Sequence, residues 1–185
     1  IDSLYKLIKV IQALTINLVN KGILFRGAIS YGKLIHNKEL IFGPALNEAY
    51  ETETRAALYP RIILDKSILD IYKEQQMSLF EELSTENLIL NCLSKDTDEK
   101  MYIDYFPNSI CSLFLNIDVQ IYFENLRTII INGSRNLSPD LSVKYGWMKN
   151  KYNQLIRTLK SEEKIIEISK IKGLFEYMNK IDILK

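Results

Sequence analysis

The sequence predicts an α+β domain followed by a C-terminal helical extension. Three observations predict it. Short apolar runs, bounded by glycine, proline and polar turns, recur between Ile23 and Phe106. Segments with helical spacing precede and interrupt those runs. Beyond about Asp118 the spacing is helical throughout. Mixed strands and helices first and helices last describe α+β rather than a regular βαβ alternation. The division falls at 1–118 for the mixed part and 119–185 for the extension.

The first element spans Leu4 to Val19, where Leu4, Leu7, Ile8, Ile11, Leu14 and Leu18 fall at helical spacing. Asp2 or Ser3 caps its start, and Gly22 stands where a helix stops. Ile23 to Gly32, ILFRGAISYG, is apolar, aromatic and bounded by glycine, which is a strand signal. His36 to Glu39 reads as a turn and Leu40 to Gly43 as a second strand, so the two strands are expected to form an antiparallel hairpin. Gly43-Pro44 opens a helix to about Leu58, because proline in the first turn gives up no hydrogen bond. Tyr59-Pro60 stops it, since the residue before proline avoids the α region. Arg61 to Leu64 is a compact buried strand, and Asp65 caps a helix to about Tyr72. After a polar stretch through Glu86, NLILNCLSKDTDEKMYIDYF gives a strand, a turn at Asp96 to Glu99 and a strand. A helix from Val119 to Ile131 is expected to end at Asn132-Gly133. Ser138-Pro139-Asp140 starts the next, with Tyr145, Met148, Tyr152, Leu155 and Leu159 as its stripe. Ser161-Glu162-Glu163 starts the last, with Ile168, Ile171, Phe175 and Met178.

Composition excludes several classes of protein. A chain of 185 residues with 47% hydrophobic and 25% charged residues can bury a core and is not a disordered one. Its 24 basic and 23 acidic residues leave a net charge of +1, which argues against a dedicated nucleic-acid partner. No apolar run reaches the roughly 18–20 residues that span a bilayer, and no secretory leader is visible, so no membrane partner and a cytoplasmic location are expected. Cys92 and Cys111 have no metal-binding spacing and read as buried thiols in a reducing compartment. The chain opens on Ile1 rather than Met and passes straight into a helical pattern, which reads as a piece of a longer protein.

Chemistry concentrates between Arg26 and Arg61. Three glycines, Gly27, Gly32 and Gly43, punctuate a strand, a hairpin and a helix start. A helix N-terminus beside glycines offers free N–H groups and a positive dipole end, which suits phosphate. Arg26 is expected either to pair with Glu51 or Glu53 or to reach a phosphate. His36 reads as a surface histidine, Asp96 and Asp98 as members of a solvated turn, and Tyr145 and Trp147 as helix-packing aromatics.

These residues also carry a resemblance. Arg26-Gly27-Ala28-Ile29-Ser30-Tyr31-Gly32, followed by Gly43-Pro44-Ala45-Leu46-Asn47-Glu48-Ala49-Tyr50-Glu51-Thr52-Glu53, resembles the second half of a class III nucleotide cyclase domain. That family shows R-x-G-I-x-x-G on a strand, a hairpin, then G-x-x-V-N-x-A-x-R-L-E on a helix. The similarity covers roughly Ile1 to Tyr105, with KDTDEKMYIDYF resembling the late hairpin. The likeness extends to small bacterial cyclase-like proteins, including the pyrimidine cyclases of anti-phage signalling. VKYGWMKNKYN at Val143 to Asn153 resembles their helical end.

The resemblance implies that residues 1–118 are the C-terminal part of a cyclase-like domain, a partial ferredoxin-like antiparallel sheet with packed helices. It implies attack of a ribose 3′-oxygen on the α-phosphorus of a nucleoside triphosphate, giving a 3′,5′-cyclic mononucleotide and pyrophosphate. Two Mg²⁺ or Mn²⁺ ions on two aspartates assist, and those ligands are expected upstream of this sequence, so these residues alone are expected to be inactive. Asn47 falls on the family asparagine that orients the ribose. The family arginine is Glu51 here; Arg55, one turn further, either substitutes for it or forms a surface pair with Glu51. Lys95 or Lys100 falls near the late-hairpin lysine that reaches phosphate. Leu40 stands where purine-using relatives read the base with a polar side chain, which favours UTP or CTP unless Leu40 fills the core under the hairpin. A homodimer with shared sites is implied. The alternative is an inactive cyclase-like module for dimerisation or nucleotide sensing.

Overall fold

The computed structural model describes residues 2–77, 91–106, 118–135, 138–161 and 174–185. Along the chain run α1 (Asp2–Asn20), β1 (Gly27–Ile29), β2 (Ile35–His36), β3 (Ile41–Phe42), α2 (Pro44–Ala56), β4 (Ile62–Leu64) and α3 (Lys66–Met77). Then follow β5 (Leu93–Lys95), β6 (Met101–Ile103), α4 (Val119–Ser134), α5 (Pro139–Leu159) and α6 (Leu174–Lys180). The architecture is α+β, with the strands early and helices closing the chain. Two units are present: residues 1–12 with 25–104, and residues 13–24 with 105–185.

The first unit is built on a four-stranded sheet of order β1-β4-β6-β5. Two of its ladders, β4–β6 and β5–β6, are antiparallel, as the antiparallel expectation requires. The third is parallel: Gly27, Ala28 and Ile29 stand opposite Ile62, Ile63 and Leu64. A parallel pair needs a long crossover. Residues 30–61 supply it and carry α2. All three residues of β4 are buried, which is why RIIL is a continuous apolar run rather than an alternating one. Ile8, Ile62, Leu64, Ile68, Cys92, Leu93 and Ile103 form the core of this unit.

The expected hairpin between Ile23–Gly32 and Leu40–Gly43 does not form. β3 pairs instead with β2, matching Ile35 to Phe42 and His36 to Ile41 in a sheet of its own. The cause is a tight turn. Asn37 Oδ1 accepts from the backbone N–H groups of Glu39 and Leu40 at 2.9 and 2.8 Å, and Asn37 N–H donates to the Leu40 carbonyl at 3.0 Å. An asparagine that closes the turn on itself brings the residues flanking it into register. His36 is therefore the end of a strand rather than part of the turn, and it is exposed, as a surface histidine should be.

In α1 the buried positions are Ile8, Gln12, Thr15, Ile16 and Val19, whereas Leu7 and Leu14 are exposed. The inward stripe includes polar residues, so the apolar spacing pointed to a rotated face. Gln12 is accommodated because its Nε2 donates to the Asp104 carbonyl at 2.7 Å. The helix α3 outlasts its expected end at Tyr72. The expected strand at residues 87–90, Cys111, and the start and first stripe residues of the last helix lie outside the described residues.

The second unit contains α4 and α5. Asp118 caps α4 by accepting from Ile121 N–H at 3.1 Å. Gly133 does not stop this helix. A Cβ there would lie 2.1 Å from the ring of Tyr145, so the glycine lets α5 approach closely. The expected α5 stripe is confirmed at Met148, Tyr152, Leu155 and Leu159, all buried. Trp147 packs its ring edge-on against Phe106 at 5.9 Å, and Tyr122 donates its hydroxyl to the Tyr105 carbonyl at 2.6 Å.

Candidate functional site

Most of the candidate residues belong to α2 and its surroundings. The helix begins at Gly43, whose φ of 154° and crowded position both require glycine. A Cβ there would sit 2.5 Å from the Lys33 carbonyl oxygen. This close approach corrects the expectation of free N–H groups for a phosphate. Pro44 has none, Ala45 N–H donates to the Lys33 carbonyl at 3.3 Å, and the N–H groups of Leu46 and Asn47 donate to the Gly43 carbonyl at 3.1 and 3.3 Å. The first turn is thus satisfied by the chain itself.

Asn47, Glu51 and Arg55 follow one another at four-residue spacing on an exposed face of α2. Arg55 Nη1 lies 3.3 Å from Glu51 Oε2, both largely in solvent, so this is the surface pair. Such a pair contributes about 0.3–0.5 kcal/mol. Arg26 takes Glu53 among its open partners: Nε is 2.6 Å from Glu53 Oε1, and Nη1 donates to the Ala57 carbonyl at 3.4 Å. Leu40 is 53% exposed, so it does not fill the core under the hairpin.

The turn after β5 is not merely solvated. Arg61, 1% exposed, sits beneath it. Its Nη1 contacts Asp96 Oδ2 at 2.5 Å and Asp98 Oδ1 at 3.0 Å, and its Nη2 contacts Asp98 Oδ2 at 2.5 Å and the Ala56 carbonyl at 3.1 Å. The guanidinium also lies over the rings of Tyr59 and Tyr102, at 5.0 and 6.0 Å. Hydrogen bonding from Arg61 holds the Asp98 carboxyl below its usual range. Arg61 escaped the sequence reading because it looked like the polar start of an apolar strand. Its one signal was an arginine at the head of RIIL with a DTD turn 35 residues on, and one sequence does not show that the two meet.

Asp98 of this network also lines a cavity of about 210 Å³, together with the polar residues Thr52, Asp65, Lys66, Glu99 and Lys100 and apolar residues of β4, α3 and β6. Burial opposes the charge on Asp65, but the Ser67 hydroxyl and amide, at 2.5 and 2.7 Å, outweigh it and hold the carboxyl below its usual range. The Asp65 charge in turn pushes the Glu48 carboxyl up. Of the two late-hairpin lysines, Lys100 lines this cavity, whereas Lys95 pairs with Glu99. The structure therefore brings Lys100 together with Asp65 and Thr52. It leaves Asn47, Arg55 and Leu40 facing solvent and Arg26 tied to Glu53.

The described residues do not fit a two-metal centre. No group of three or more His, Cys, Asp or Glu side chains converges among them. Glu48 and Asp65 make a carboxyl pair, but Ser67 and Lys100 already serve Asp65. Among the described residues no helix is long and apolar enough to cross a membrane. No protein-family model, curated protein or solved structure matches the chain.

Proposed function

We propose that this chain is part of a nucleotide cyclase-like domain, and that it contributes one edge of a nucleoside-triphosphate site to a pair of subunits. The observation that carries the reading is the outer face of α2. Asn47 is held by a glycine-fixed helix start yet leaves its carboxamide in solvent, beside an apolar arm made of β2 and β3. A carboxamide donates and accepts, so it suits two ribose hydroxyls presented from a second copy. Arg55 and Lys100 supply the cationic groups nearest to this role in the sequence. Arg55 must leave Glu51 to act, a small cost for an exposed pair. Metal ligands would come from outside the described residues, and no step assigned here to Asn47, Arg55 or Lys100 passes through a metal. The exposed Leu40 supports a pyrimidine over a purine, because it offers no hydrogen bond to a purine edge.

A second reading is favoured by one specific feature. The satisfied first turn of α2 and the Glu51–Arg55 pair leave this helix without a free donor set for phosphate. That is the arrangement expected of a module that senses nucleotide or dimerises without turnover.

The test uses the full-length gene product that contains these residues, with Mn²⁺ and each of four triphosphates, the products being separated by mass. Cyclic UMP or cyclic CMP with released pyrophosphate is expected. Asn47→Ala should lower kcat about 10²-fold with unchanged thermal unfolding, because an interaction made in the transition state is lost. Triphosphate binding without any cyclic product selects the second reading.

A further inference from the structure

The cavity of the first unit carries a charge that its own walls do not match. Three carboxylates line it, and each is already held. Asp98 takes the Arg61 guanidinium at 2.5 and 3.0 Å. Glu99 pairs with Lys95. Asp65 accepts from the Ser67 hydroxyl and amide at 2.5 and 2.7 Å and shares a hydrogen bond with Glu48, and Lys100 is near enough to attract it. Lys66, at the start of α3, has no such partner among the described residues, and neither has the Thr52 hydroxyl on α2.

An ammonium and a hydroxyl left without partners in one cavity are a donor pair for an anion. The balance of charge selects which anion. A monoanion neutralises the one uncompensated cation. A dianion would bring a surplus negative charge beside Asp65, Asp98 and Glu99, where it is repelled. A carboxylate accepts from both donors at once, one through each oxygen. The rest of the lining is apolar: Ile63 and Leu64 are buried in β4, and Leu69 of α3 and Met101 of β6 are half-buried. Apolar side chains beside a few polar groups suit a ligand with a hydrocarbon tail. At about 210 Å³ the cavity is smaller than the roughly 300–1,000 Å³ of drug-sized sites, so the ligand is small.

We propose that this cavity binds a small aliphatic monocarboxylate, with its carboxylate held by Lys66 and Thr52 and its hydrocarbon tail laid on Leu69 and Met101. The inference goes beyond the cyclase reading. Lys66 and Thr52 have no part in that reading, so either can fail alone.

The test titrates the full chain with hexanoate and follows backbone amide shifts by nuclear magnetic resonance. Shifts at Thr52, Lys66, Leu69 and Met101 that saturate with a Kd of about 1 mM are expected. Hexanamide, the neutral isostere, should bind about tenfold more weakly, because a charge-assisted contact becomes a neutral one. Lys66→Met should weaken hexanoate about tenfold and Thr52→Val about threefold. Equal binding of hexanoate and hexanamide overturns the proposal. So does tighter binding of hexylamine, unchanged binding by Lys66→Met, or no shift at about 10 mM hexanoate. Inorganic phosphate or UTP that moves the same amides more tightly than hexanoate assigns the cavity to a phosphate group and overturns the carboxylate. If circular dichroism shows that Lys66→Met has not folded, the comparison of hexanoate with hexanamide on the wild-type chain decides alone.

Discussion

A guanidinium sealed under tyrosine rings is tolerable only while the carboxylates around it stay charged. Arg61 is in that position with Asp96 and Asp98. Removing the cation leaves Asp96, itself 6% exposed, as a buried anion without its partner. Arg61→Met is therefore expected to destabilise the first unit by about 3–5 kcal/mol in urea unfolding, against about 0.5 kcal/mol or less for Arg55→Ala. The sign of the pH dependence follows from Asp98. Its folded pKa lies below the ordinary 3.8, so the ion pair stabilises fully above that value and is lost as pH falls through the folded value. Urea midpoints of the wild type should hold from about pH 7 to pH 5 and fall below about pH 4, and Arg61→Met should blunt the acid limb. At this scale the sequence was legible where chemistry is local. It named the Glu51–Arg55 pair as one of two alternatives and Glu53 among the partners of Arg26. It missed Arg61, because that residue acquires its role from carboxylates more than thirty positions away.

The arm of β2 and β3 is the element least able to stand alone. A two-stranded ribbon is marginal in water. Here Leu34, Ile35, Leu40, Ile41 and Phe42 are all exposed, with Phe42 at 59%. Exposed apolar residues grouped in this way are the kind that protein–protein contacts cover. On the paired-subunit reading, Ile41→Asp with Phe42→Asp should convert a dimer to a monomer in sedimentation, with far-UV circular dichroism unchanged. Equal masses for the two proteins would remove the arm from the interface. Helices α1 to α5 were legible element by element, since caps, proline and spacing are short-range signals. Strand partners were not. β1 chose β4 rather than its sequence neighbour, and Gly133 served close packing instead of a stop, because pairing and packing depend on residues brought in by the fold.

For the whole molecule, the α+β class and the run of helices at the end were legible in the order of periodicities. The parallel ladder was not, since RIIL has the same composition in either orientation. The two units are discontinuous: α1 gives its residues up to Gln12 to one and those from Ala13 onward to the other. Ile16 and Val19, buried, belong to the unit completed by residues 105–185. A chain ended after Asp104 should therefore leave those side chains uncovered and partition into the insoluble fraction on expression, whereas the full chain does not. The same arrangement has a meaning during synthesis. At about 5–20 residues per second, a ribosome adds the hundred residues between Val19 and α4 in on the order of ten seconds. Throughout that interval the nascent chain displays an apolar helix face whose cover has not been translated, so the early helix is a natural client for ribosome-associated chaperones.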